Sequence, residues 1–151
     1  MNNGDGLLLR FTGSALGYPT AMHRHITLSE SDLAARQARE EVRSAVTDWQ
    51  LSSCLDDALL IASELVTNAA THGVGEVSLH LRVSGSLLRI EVQDEQVDVL
   101  PETRAPGETE PGGRGLHLVE ALSSNWGWEV YAQTKTIWAE IPCGASQLAN
   151  N

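Results

Sequence analysis

The chain is poor in cysteine, in basic residues and in long apolar runs. Two cysteines, Cys54 and Cys143, stand in 151 residues, too few for a disulfide scaffold or a zinc site. Ten basic residues face twenty acidic ones, a formal net charge of −10. Nucleic-acid binding and adhesion to an anionic membrane both need a basic face, so both are disfavoured. A single nucleotide needs only a local set of donors and stays admissible. No stretch approaches the ~18 apolar residues of a membrane span. The opening Met1-Asn2-Asn3-Gly4-Asp5-Gly6 lacks the basic-then-apolar order of a signal peptide. These absences make the cytoplasm the expected location. Nor does any repeat with a period of about 20–50 residues occur.

What remains is an ordinary globular composition, 42% apolar and 20% charged, in a length that suits one domain. Leu7-Leu8-Leu9-Arg10-Phe11 suggests an edge strand. Residues 12–27, rich in Gly, Pro and Ser, read as loop, with His23 and His25 as solvated loop residues. Residues 29–49 read as a first helix, capped by Ser29 or Ser31, with Leu33, Val42, Ala45, Val46 and Trp49 on one apolar stripe. Ser53, with Asp56 three residues on as a capping-box partner, opens a second helix. Leu55, Leu59, Ala62, Leu65, Val66 and Ala69 keep the helical period until Gly73 and Gly75 stop it.

The period then changes to two. Val77, Leu79, Leu81 and Val83 alternate with polar residues, then Leu88, Ile90 and Val92 do the same, with Ser84-Gly85-Ser86 between them. That is an antiparallel hairpin signal. Residues 95–113 hold three prolines, three glycines and five acids, which predicts a mobile loop. A short helix is expected after Gly113-Arg114-Gly115. A closing hairpin, 128–132 and 136–141, is expected around Thr134-Lys135, and a flexible tail from 144. Four of the seven aromatics, Trp126, Trp128, Tyr131 and Trp138, fall near that hairpin and are expected to serve sheet and core packing. Consecutive antiparallel strands with amphipathic helices predict an α+β two-layer sandwich, an antiparallel or mixed sheet covered by helices on one face.

Three features carry chemistry. Glu64, Asn68 and His72 lie four residues apart, on one face of the second helix. A wet helix face explains them, and so does a metal-nucleotide site. An amide oxygen is a hard ligand for Mg²⁺, and a carboxylate one turn away can polarise a hydroxyl or water. Gly112-Gly113-Arg114-Gly115-Leu116 opens a helix, where bare backbone and free N–H groups suit phosphates. Asp94 ends the strand Ile90-Glu91-Val92-Gln93, where it either starts a turn or accepts an amino hydrogen.

In their order and setting these features resemble the gyrase/histidine-kinase ATPase superfamily with its Bergerat fold. Glu64-Leu65-Val66-Thr67-Asn68-Ala69-Ala70-Thr71-His72 is similar to its helical N box, Asp94 to the acid of the adenine box, and Gly113-Arg114-Gly115-Leu116-His117-Leu118-Val119 to the glycine box after the ATP lid. Ser63-Glu64-Leu65-Val66-Thr67-Asn68-Ala69, Gly113-Arg114-Gly115-Leu116 and Lys135-Thr136-Ile137-Trp138 resemble the stand-alone anti-sigma-factor serine/threonine kinases. The resemblance implies ATP and Mg²⁺ as cofactors, Glu64 as general base or water-orienting carboxylate, and Asn68 as the Mg²⁺ ligand. It implies Asp94 as the reader of adenine, and Gly113, Gly115 and the helix at Leu116 as phosphate holders. Thr136 is implied near the adenine pocket. Arg114 is a candidate for the terminal phosphate or for an exposed surface position. Where the superfamily continues Asp-x-Gly-x-Gly, this chain has Asp94-Glu95-Gln96-Val97-Asp98, which adds bulk and negative charge near an anionic ligand.

The implied organisation is an N-terminal strand and loop (1–28), a histidine-kinase-like ATPase domain (29–143) and a tail (144–151). The implied activity is that of an ATP-dependent anti-sigma factor phosphorylating a serine or threonine of an antagonist protein. Its partners would be a sigma factor and that antagonist, with room for a homodimer and with no direct nucleic acid or membrane contact. The alternatives are a non-catalytic protein-binding switch and a detached sensor-kinase ATP domain.

Overall fold

The computed structural model describes residues 21–29, 32–71, 75–98 and 111–144. The expected strand at 7–11, the candidate cap Ser31, His72, most of the expected lid (99–110) and the tail beyond 144 lie outside these residues. So do the side chains of 111–115. Five strands form one antiparallel sheet: β1 (Ala21–Leu28), β2 (Val77–Ser84), β3 (Leu87–Asp94), β4 (Asn125–Tyr131) and β5 (Thr134–Pro142), in the order β1-β2-β3-β5-β4. Helices α1 (Ala34–Asp48), α2 (Leu55–Thr71) and α3 (Pro111–Leu122) cover one face of it. This is the expected two-layer α+β sandwich with helices on a single face. Among the described residues no helix is long and apolar enough to cross a membrane.

Strand alternation builds the core. Leu79, Leu81 and Val83 of β2, Leu88, Ile90 and Val92 of β3, and Ile137, Ala139 and Ile141 of β5 are all buried against the helices. From the other layer Ala38, Val42 and Ala45 of α1 and Ala58, Ile61, Ala62, Leu65 and Val66 of α2 meet them. α2 is the central helix, packed on α1 along one flank and on α3 along the other.

Several expectations need correction. Residues 21–28 are a strand, not a loop. The alternation was masked because an arginine occupies an inward position. The Arg24 guanidinium is absorbed by Asp48, Ser44 and Glu41 of α1 and lies 5.7 Å from the centre of the Trp49 ring. The first helix starts at Ala34 rather than 29, with no side-chain cap, and Leu33 is 52% exposed, outside the stripe. Ser29 instead exchanges hydrogen bonds with the Gln37 amide, its N–H donating to Oε1 and its hydroxyl accepting from Nε2, both at 2.8 Å. A single 3-10 turn, Ser52–Cys54, precedes α2.

The aromatics divide. Trp126 packs against the core, and Trp138 lies on the open face across Gly127, where a Cβ would stand 2.8 Å from its ring. Arg89 stacks on the same Trp138 ring at 4.1 Å. Trp128, on the helix side, is exposed because β4 is an edge strand that α3 does not fully cover, and Tyr131 is exposed on the open face beside the turn. The two cysteines are not idle thiols. Cys54 and Cys143 form a disulfide that joins the start of α2 to the end of β5.

On the open face His23 and His25 of β1 meet His80 of β2, rings stacked at 5.6 and 4.3 Å. They are half-buried strand residues rather than solvated loop. Burial, and then the neighbouring His25, push His80 down to about 4. Burial, helped by Arg82, also lowers His23. Both stay neutral near pH 7.

Candidate functional site at one end of the sheet

Chain direction determines which residues can meet. α2 begins at the end of the molecule where Cys54 joins Cys143, just past β5. It therefore ends at the opposite edge of the sheet, where β2 starts and β3 finishes, since Ser78 pairs with Gln93. β5 starts there too, because Asp94 pairs with Lys135. α3 feeds β4, whose first residue Asn125 pairs with Glu140 at the far end. Its N-terminus consequently lies at the Asp94 end. Three expected site segments thus converge: the last turns of α2, the end of β3 and the start of α3.

On α2 a step of about 100° per residue orders the side chains. The hydroxyl of Ser63 accepts a hydrogen bond from Arg39 of α1 at 3.1 Å, which identifies that flank. Glu64 and Asn68 lie on the other flank, toward α3, half-exposed and one turn apart. Neither is consumed by the core, so a carboxylate and an amide oxygen are available to a ligand.

Asp94 is 1% exposed, unusual for a carboxylate. Its Oδ1 accepts the backbone N–H of Gln96 at 2.7 Å, and Lys135 Nζ stands 3.7 Å from the same oxygen. Lys135 is itself only 4% exposed. Sequence reasoning placed Lys135 in a turn and gave it no role. The available signal was its rarity: it is the only lysine in 151 residues, in a strand whose alternate positions Ile137, Ala139 and Ile141 all point inward. The same alternation puts the Thr136 side chain on the opposite face from Lys135. Thr136 pairs with Gln93 and shares the open face with Trp138, so the structure does not bring its side chain to Asp94. Lys135 faces Asp94 instead.

The residues that replace the superfamily glycines take defined places. Gly75 adopts φ +79°, a left-handed conformation, and the Glu95 carboxylate occupies the space a Cβ would need there. Glu95 therefore lies against Gly75, which precedes β2. Gln96 supplies the N–H that holds Asp94.

α3 begins at Pro111 rather than Leu116. The glycines form its first turn instead of a loop before it. The N–H groups of Gly112, Gly113 and Arg114 belong to the unbonded set at the helix start, where the positive end of the dipole favours anions. Leu116 is 3% exposed and sits in the core, so only its backbone could serve a ligand. His117, the next residue, has a buried Nε2 with no hydrogen-bond partner among the described residues, a polar atom that a bound group could satisfy.

A cavity of about 640 Å³ opens near Leu28, Asp32, Ala35, Thr67 and Thr71. It lies on the α1 flank of α2 and includes neither Glu64, Asn68 nor Asp94. The half-exposed Glu64 and Asn68 lie on the other flank. No cluster of three or more metal-ligating side chains occurs among the described residues.

Comparison with known proteins gives a matching picture. No curated protein matches the chain by sequence. The crystal structure of the RsbU and RsbW domains of Rv1364c from Mycobacterium tuberculosis superposes with a TM-score of 0.61 at 24% identity, over 80% of this chain and 32% of that one. This chain thus spans about a third of that chain's length, and the likeness shows the fold. The Acinetobacter baumannii histidine kinase AdeS aligns with a TM-score of 0.44 at 12% identity, over 80% of this chain and 68% of that one. The family model of the histidine kinase-like ATPase domain matches residues 28–139, most of the chain and every segment that converges on Asp94, and the chain belongs to that family of ATP-binding domains.

Proposed function

We propose that the protein is an Mg²⁺-ATP-dependent regulator, an anti-sigma factor that transfers phosphate to a serine or threonine of an antagonist protein. The observation that supports this best is the convergence of a half-exposed Glu64–Asn68 pair, a buried Asp94 and a glycine-rich helix start at one end of the sheet. The likeness to a chain containing an RsbW domain favours a protein partner.

The donor set fits the ligand. Bound Mg²⁺-ATP supplies the phosphoryl group to be transferred. Asn68 offers a neutral hard oxygen to the cation. Asp94, an acceptor only when ionised, takes the amino hydrogen of adenine. The backbone at 112–114 holds phosphate oxygens. Glu64, one turn before Asn68, accepts the proton of the attacking hydroxyl. A chain with net charge −10 repels ATP at long range, so local donors must supply the attraction.

Asn68 gives the direct test. Its side chain is half-exposed and no core contact depends on it, so Asn68→Ala should leave the melting temperature of the free protein within about 1–2 °C. Stabilisation by Mg²⁺-ATP, about 2.7 kcal/mol at a hundredfold excess over Kd, should vanish in a thermal-shift assay. Undiminished stabilisation of the variant would remove Asn68 from the site.

A further inference from the structure

Asp94 is not alone at the place where the base would be read. The chain's single lysine is buried directly across the β3–β5 ladder from it, Nζ 3.7 Å from Oδ1. Burying a lysine costs several kcal/mol unless the charge is matched, and an apolar residue would fill an inward strand position at lower cost. An ionised carboxylate only accepts hydrogen bonds, and an ammonium only donates them. Side by side they form an ordered acceptor–donor pair. The edge of adenine is complementary to such a pair, with a 6-amino donor beside the N1 acceptor. A 6-oxopurine such as hypoxanthine presents the reverse, an O6 acceptor beside an N1–H donor.

We propose that Lys135 and Asp94 read the base together, Asp94 accepting from the 6-amino group and Lys135 donating to N1, so that Lys135 is a specificity-determining residue. This rests on the nucleotide site proposed above. The phosphates, held at the start of α3, fix the pose of the base, so the order of acceptor and donor is what is read. Gln96 supports the arrangement by fixing Oδ1 through its backbone N–H at 2.7 Å. The strand pairing of Asp94 with Lys135 keeps the two groups on one face.

The experiment compares binding of ATP and inosine triphosphate, each with Mg²⁺, to the full chain by calorimetry. The wild type should prefer ATP by about 10–100-fold, the weight of one or two charge-assisted hydrogen bonds. Lys135→Met should weaken ATP by about tenfold or more and erase most of that preference. Because this variant removes the ammonium beside a buried carboxylate and can lose stability, Lys135→Arg is measured beside it. Arginine keeps the ion pair and the fold but replaces a point donor with a planar fork, so the ATP preference should fall while the melting temperature holds. A readout independent of any variant is amine modification of Lys135 in the wild type, followed by mass spectrometry. Mg²⁺-ATP should slow it strongly, and the inosine nucleotide should do so less. If the wild type binds no nucleotide, the site itself is wrong. If ATP binds, and the Arg variant keeps the full preference while labelling of Lys135 is indifferent to ATP, the site stands and the role of Lys135 falls.

Discussion

Glu64→Gln is expected to lower phosphoryl transfer to a partner hydroxyl by about 10²–10⁴-fold, the usual contribution of a general base, with ATP affinity changed little. The substitution preserves shape and half-exposure and removes only the proton acceptor. Glu64 points along the flank of α2 that faces α3, one turn from Asn68, so it can approach the phosphoryl end of the ligand without touching the base. A group that acts mainly in the transition state alters kcat far more than binding. The assay uses Mg²⁺-ATP labelled at the γ-phosphate and candidate antagonist proteins. Equal labelling by both forms would show that Glu64 is not the base. A wild type that binds a partner tightly yet labels none would replace the kinase by a non-catalytic switch.

Reduction of the Cys54–Cys143 disulfide is expected to lower stability by about 4.5 kcal/mol, the chain-entropy value for a loop of this size. The bridge spans a sequence separation of 89 residues, with Cα atoms 5.1 Å apart. It fastens the start of the helix carrying Glu64 and Asn68 to the last strand of the sheet. At about 2–4 °C per kcal/mol for a chain of this length, protein refolded under reductant should melt roughly 10 °C lower. A Cys54→Ala/Cys143→Ala protein should melt low and ignore the reductant. Identical melting of oxidised and reduced wild type would show that the bridge contributes nothing. Cys54 and Cys143 are 4% and 0% exposed, so the comparison needs reduction in the unfolded state.

The sequence carried the sheet and the helices wherever periodicity was clean. The β2–β3 hairpin, α2 and the one-sided cover of helices were all legible from alternation and from a single apolar stripe. Legibility failed where a polar group sat at an inward position and drew its compensation from far along the chain. Arg24 hid β1, because its partners Glu41 and Asp48 belong to α1. Lys135 looked like a turn residue, because its partner Asp94 lies 41 positions away, across a ladder that only the fold creates. The disulfide escaped for the same reason: two cysteines suggest no pairing until the fold brings the start of α2 to the end of β5. Glu64, Asn68 and Asp94, the residues of the proposed site, stood out by spacing and resemblance. Their meeting at one end of the sheet follows from the directions of α2 and α3. Thr136, one residue on from Lys135, has its side chain on the open face, because a one-residue step along a strand reverses the face.

The central claim is that this end of the sheet binds Mg²⁺-ATP, and calorimetric titration with a non-hydrolysable ATP analogue tests it most directly. The expected result is one site per chain, with affinity that falls about tenfold or more when Mg²⁺ is chelated, because Asn68 can then no longer engage the phosphates through the cation. No heat of binding at millimolar analogue, with or without Mg²⁺, would contradict it.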